Sequence, residues 1–188
     1  MKTIGHHTCK KDGGEVLVLK ESPFFAEHNP EEEKFQFLGS GYYFWDNNIE
    51  LAKVWGKGRY SDDYYVIEID FELTSENCFD LVGNRYHQIH LLNYIKEYEE
   101  LTGENKEDWT VNQCIQFLRE LNIEDEQVFP YKFVRAVDLL KHTKFKAQHL
   151  MKFIDSKENY TIMNPKIVIC VFDKEELNLQ SKKIVHSS

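Results

Sequence analysis

The sequence predicts an α+β fold, and three observations predict it. Residues 64–73 alternate after Val66: Ile67, Ile69, Phe71 and Leu73 point one way, and Val66, Glu68, Asp70 and Glu72 the other. That period of two is the signature of a half-buried strand. Residues 85–101 carry Ile89, Leu92, Tyr94, Ile95 and Leu101 at helical spacing, and 111–121 form a second helical segment. The apolar run 167–172 then reads as a buried strand. Strands and helices are mixed, with a helical insertion over about 85–150 between two sheet halves, which places the chain among α+β folds.

The remaining elements follow in order. Residues 2–9 read as a short first strand. Residues 15–20 fit either a strand or a short helix after the Gly13-Gly14 turn. Pro23, Pro30 and the acidic run Glu31-Glu32-Glu33 mark 21–37 as a surface loop. Residues 41–45 form a strand, and Asp46, Asn47 and Asn48 are suitable N-caps for a helix over 49–57. Thr110 is placed to cap the helix over 111–121. Residues 132–141 and 145–153 read as helical or partly so, and 184–186 as a last edge strand. No linker, repeat or low-complexity tract divides residues 1–188, which form one expected domain.

Composition narrows the function classes. A chain of 188 residues with 41% hydrophobic and 14% aromatic residues can build a substantial core. A formal charge of −9 argues against a broad basic face for nucleic acid. The local patch Lys141-His142-Thr143-Lys144-Phe145-Lys146 reads first as a solvated helix end, with phosphate contact as the alternative. The cysteines at 9, 78, 114 and 170 show no C-x-x-C spacing and read as small buried hydrophobes in a reducing compartment. With no signal-peptide pattern and no apolar stretch near ~20 residues, the expected location is cytoplasmic, away from membrane.

Residues 38–55 are the most informative stretch. Gly39 and Gly41 lead into Tyr42-Tyr43-Phe44-Trp45, and an Asp-Asn-Asn then opens a helix carrying Ile49, Ala52 and Trp55. One reading is a tight turn and a core strand with packed aromatics. The other presents Tyr43 at the lip of a cleft, with the glycines allowing a ligand close to the backbone.

The run Gly39-Ser40-Gly41-Tyr42-Tyr43-Phe44-Trp45-Asp46 resembles a segment of ADP-ribosyltransferases of the diphtheria-toxin and poly-ADP-ribose-polymerase type. Gly5-His6-His7-Thr8 is similar to that family's first-strand His-Gly-Thr, with His7 in place of the glycine. Asn77-Cys78-Phe79-Asp80-Leu81 and Asn164-Pro165-Lys166-Ile167-Val168-Ile169-Cys170-Val171 resemble later segments of a bacterial branch. The resemblance implies two packed, strongly bent sheets around an NAD cleft, with NAD as ligand or substrate and no metal. It implies transfer of ADP-ribose to a macromolecular acceptor, a protein in preference to nucleic acid. His6 would bond an adenosine-side ribose hydroxyl, and Thr8 would support that stretch. Tyr43 would stack on nicotinamide, and the Gly41 backbone would lie near it. Val168 falls on the closing-strand glutamate or glutamine, and a two-residue shift would put Lys166 there. Neither side chain supplies an anion to an oxocarbenium-like species, so a degenerate NAD-binding or protein-interaction module is the alternative to an enzyme. A third reading makes His6 or His7 the general base of a nuclease-like toxin.

Other groupings have plainer readings. His6, His7 and Cys9 do not form a convincing metal set, because adjacent strand residues face opposite ways. His87 and His90 share a helix face, as half a metal site or as exposed polar decoration. Glu68 and Asp70 read as the wet face of their strand more than as an acid/base pair. Trp55 reads as core, or as a second aromatic wall. Thr74-Ser75-Glu76 resembles the motif of arginine-specific transferases, which would require an arginine where this chain has His6. As a lip residue, Tyr43 would cost under ~1.5 kcal/mol on truncation to alanine.

Overall fold

The nine-residue strand β1 (Lys2–Lys10) pairs antiparallel along its whole length with β3 (Tyr64–Glu72), from Lys2 opposite Glu72 to Lys10 opposite Tyr64. The computed structural model describes residues 1–103, 109–138 and 150–188. The outer edge of β3 takes β9 (Lys183–Ser187), with a register shift at Val66/Ile67. A second group of strands is built from β2 (Tyr42–Asp46), β4 (Cys78–Asp80), β5 (Phe133–Val137) and β8 (Ile167–Val171). β8 lies antiparallel between β2 and β5, and β4 runs parallel to β5. The two groups make one seven-stranded sheet in the order β4-β5-β8-β2-β1-β3-β9. They are joined by two residue pairs, Gly5 with Asp46 and His6 with Trp45.

Side-chain volume sets that joint. A Cβ on Gly5 would lie 2.4 Å from the Phe71 ring and 3.0 Å from the Phe44 Cβ. The missing side chain lets Phe44 and Phe71 meet edge to face at 5.0 Å, tying β2 to β3 across β1. Beside the joint, the buried Arg135 donates from Nε to Asp46 at 2.7 Å and from Nη1 to Asp80 at 3.1 Å. The Thr3 hydroxyl donates to the same Asp46 carboxylate. Burial opposes the Arg135 charge, but the two carboxylates overcome it and its pKa is raised.

The helices cover both faces. Ile67, Ile69, Phe71 and Leu73 pack with Phe44, Phe133, Ile169 and Val18, the last from α1 (Gly14–Glu21). On the opposite face α2 (Ile49–Tyr60) covers Tyr64 and Val66, and its N-cap Asn48 accepts from the Leu51 amide at 3.0 Å. α3 (Arg85–Thr102) and α4 (Val111–Glu124) pack over Phe79, Val134 and Cys170. Asn84 caps α3, and Thr110 caps α4 in a reciprocal box with Gln113, satisfying amides that have no intrahelical partner. The four cysteines are buried and free. No helix among the described residues is long and apolar enough to cross a membrane.

Several sequence expectations change. Residues 15–20, open between strand and short helix, lie in a helix. Two separate sheets are replaced by one hydrogen-bonded sheet with a narrow waist. Residues 133–137, within a segment expected as helical or partly so, are a strand between β4 and β8; pairing on both edges outweighs local preference. The helical part of the insertion therefore spans α3 and α4, and the chain returns to the sheet at Phe133. Leu150–Lys152, also expected as helix, forms strand β6, which pairs with β7 (Tyr160–Ile162) in a small second sheet. Val66, expected on a wet face, is fully buried because α2 lies over it. The basic patch at 141–146 lies outside the described residues.

Removing Asp46 leaves Arg135 buried with one carboxylate in place of two. Asp46→Ala is expected to destabilise the fold by about 3–5 kcal/mol, read as a lower urea midpoint at unchanged slope.

Candidate functional site

Beyond the joint, β1 and β2 part. The gap opens a cleft of about 980 Å³, at the upper end of the ~300–1,000 Å³ of small-molecule sites. His6, Thr8, Tyr43 and Val168, drawn from three strands, all line it, with Trp55, Arg59 and Tyr60 of α2 on one wall. The segment before β2 forms the mouth, where Phe24, Phe25, Phe35 and Phe37 are each 44–69% exposed. Ala26 and Gly41 exchange backbone hydrogen bonds, and the Gln36 amide donates to His28 Nδ1 at 3.0 Å, which fixes this segment beside the cleft.

Thr8 builds a wall. Its hydroxyl donates to the Ala52 carbonyl at 2.8 Å, and its methyl faces Gly56, where a Cβ would come within 2.7 Å. The helix therefore sits directly on the strand.

The two histidines point to opposite faces and do different work. His7 is bonded at both nitrogens, to the Tyr43 carbonyl at 3.0 Å through Nδ1 and to the Phe24 amide at 3.2 Å through Nε2. A carbonyl only accepts and an amide only donates, so His7 is neutral with its proton on Nδ1. Burial pushes its pKa down to about 4. A ring so occupied cannot act as a general base. His6 is 5% exposed; its Nε2 lies 3.4 Å from Glu68, which also meets Lys183 at 2.8 Å. Its Nδ1 is buried outside good hydrogen-bond geometry, with the Trp45 backbone beside the ring. Burial lowers the His6 pKa, and Glu68 opposes that shift.

Tyr43 lines the cleft and also anchors the glycine turn. Its hydroxyl donates to the Gly39 carbonyl at 2.7 Å and accepts from the Leu38 amide at 2.9 Å, and burial raises its pKa. Gly39 is in the left-handed region at φ 84°. Gly41 does not line the cleft. Its close approach is to the closing strand, where a Cβ would lie 2.6 Å from the Cys170 Sγ and 2.7 Å from the Val171 carbonyl oxygen. Val168 is 6% exposed and lines the cleft between Trp45 and Ala136, while Lys166 precedes β8 and gives its carbonyl to the Asp138 amide. No family model, curated protein or solved structure matches this chain.

Other residues settle into different roles. Trp55, read as core or as a second aromatic wall, is 43% exposed on the cleft wall, its ring edge-on to Tyr60 at 5.6 Å. His87 is not exposed decoration: it is buried, stacked on Phe79, and accepts from the Asp80 amide at 2.9 Å. Glu68 is partly buried against His6, and Asp70 is exposed, so the two do not form a carboxylate pair. The sequence reading missed Arg59 and the phenylalanines of the mouth. The signal for the latter was four aromatics in a loop otherwise rich in Glu and Pro.

Two outcomes follow from these geometries. Because the folded pKa of His7 lies below its unfolded value, its contribution to stability is complete above pH 6.5 and is lost as pH falls toward 4. The loss is about 3 kcal/mol for a shift of this size. Stability of wild type and His7→Phe, compared across pH 4–7, should show the steeper decline in wild type, and ¹⁵N shifts should place the His7 proton on Nδ1. For Tyr43, its hydrogen bonds raise the expected cost above that of a free lip residue. Tyr43→Phe should lose about 1–2 kcal/mol and Tyr43→Ala about 3 kcal/mol, measured by denaturant unfolding.

Proposed function

We propose that this chain is an ADP-ribosyltransferase-like protein whose cleft binds NAD and presents its nicotinamide bond to a macromolecular acceptor. The observation that carries the reading is convergence. His6, Thr8, Tyr43 and Val168 fall on family positions by resemblance, come from distant parts of the chain, and line one cleft. The cleft's size suits a dinucleotide. The net charge of −9 favours a protein acceptor over nucleic acid.

One residue favours binding over rapid turnover. Cleavage of the nicotinamide bond builds positive charge on the ribose, and Val168 offers no anion to it. Glu68 does not replace that anion, since its carboxylate faces His6 and Lys183. We therefore read the protein as an NAD binder with weak transferase activity. The nuclease-like alternative loses His7, whose nitrogens are both occupied.

NAD at millimolar concentration should raise the melting temperature by preferential binding to the folded state, and no shift would defeat the reading. Val168→Glu should increase nicotinamide release, up to the ~10²–10³ that one well-placed electrostatic group supplies. Circular dichroism must first show that the variant folds, because a carboxylate in a closed site destabilises. Robust wild-type turnover, unchanged in Val168→Glu, would show that another residue does this work.

A further inference from the structure

The α2 wall of the cleft carries chemistry that neither Tyr43 nor His6 accounts for. Trp55 and Arg59 are four residues apart, so they share one helix face, about 6 Å apart along the axis. Both line the cleft, and Trp55 keeps 43% of its surface exposed. Solvent-facing indole in a cleft is apolar area awaiting a partner. Arg59 is exposed in the last turn of α2; its guanidinium hydrogen-bonds the neighbouring Tyr60 hydroxyl, and among the described residues it makes no ion pair. Two carboxylates, Asp12 and Asp63, lie near Lys10. Asp12 is paired with Lys10 at 3.0 Å, and Tyr60, beside Arg59, is a neutral phenol whose ring meets Trp55 edge to face. Lys10 also lines the cleft, and its contact with Asp12 is a surface pair that yields readily to a better anion.

The geometry points to a nucleoside diphosphate subsite on this wall, with Arg59 and Lys10 holding the phosphates and the Trp55 ring stacking on the attached base. Guanidinium binds phosphate through two parallel hydrogen bonds, and an exposed indole offers a flat face to any base. The carboxylates lining the mouth, Asp12, Glu21 and Glu33, disfavour a long polyanion, so the subsite suits a single small nucleotide. The assignment rests on reading the cleft as a nucleotide site, but it uses residues that reading does not.

Calorimetric or NMR titration of wild type, Arg59→Gln and Trp55→Ala with ADP, adenosine and NAD tests both. Arg59 is exposed at a helix end, so Arg59→Gln should melt as wild type does. The expected result is that Arg59→Gln weakens ADP about tenfold or more and leaves adenosine unchanged, as for loss of a charge-assisted contact. Trp55→Ala should weaken ADP and adenosine alike. ADP that does not bind, or that binds Arg59→Gln as tightly as wild type, overturns the subsite even where NAD still binds. Arg59-dependent ADP binding without NAD binding supports the subsite and defeats the transferase reading.

Discussion

The structure depends on the contact between β1 and β2, where two residue pairs join strands that separate immediately afterwards. A sheet that paired these strands along their length would have no room for a ligand. One that did not pair them would leave Phe44, Phe71 and Phe133 without a common core. Gly5 makes the crossing tight, since no other residue fits between Phe71 and Phe44. Arg135, Asp46, Asp80 and Thr3 then tie four strands together beside it. An ion cluster of this kind is costly to bury, and its hydrogen bonds link β5 to both β2 and β4.

From that joint the cleft inherits its chemistry. Adjacent residues of a strand face opposite ways, so His6 and His7 diverge at the point where the sheet splits. His7 enters the aromatic core and becomes a neutral brace between Tyr43 and Phe24, its charge suppressed by burial. His6 turns to the other face, where it meets Glu68 and lies beside the Trp45 backbone. Tyr43 uses its hydroxyl to close the glycine turn and packs against the core under α3 and α4 while also lining the cleft.

Much of the local structure was legible in the chain. The alternation of 64–73, the helical spacing in 85–101 and 111–121, and the caps Asn48 and Thr110 mark elements whose formation is governed within a few residues. β4 and β5 were not legible in this way. Phe133-Val134-Arg135-Ala136-Val137 becomes a strand because β4 and β8 offer it hydrogen bonds on both edges, and those partners are distant in sequence. For the same reason His87 looked exposed: its burial comes from Phe79 and Tyr131, which the helix period does not report.

The sequence by itself determined an α+β chain, the glycine turn before the aromatic strand, the capped helices, and a net charge of −9. Those properties follow from short-range sterics, periodicity and composition. Only the tertiary structure decided that Gly41 serves the closing strand, that Val168 and not Lys166 lines the cleft, and that Trp55 and Arg59 look into it. Each of those is a question of which strand lies next to which. The answer depends on non-local pairing and excluded volume, and these come into being when the strands meet.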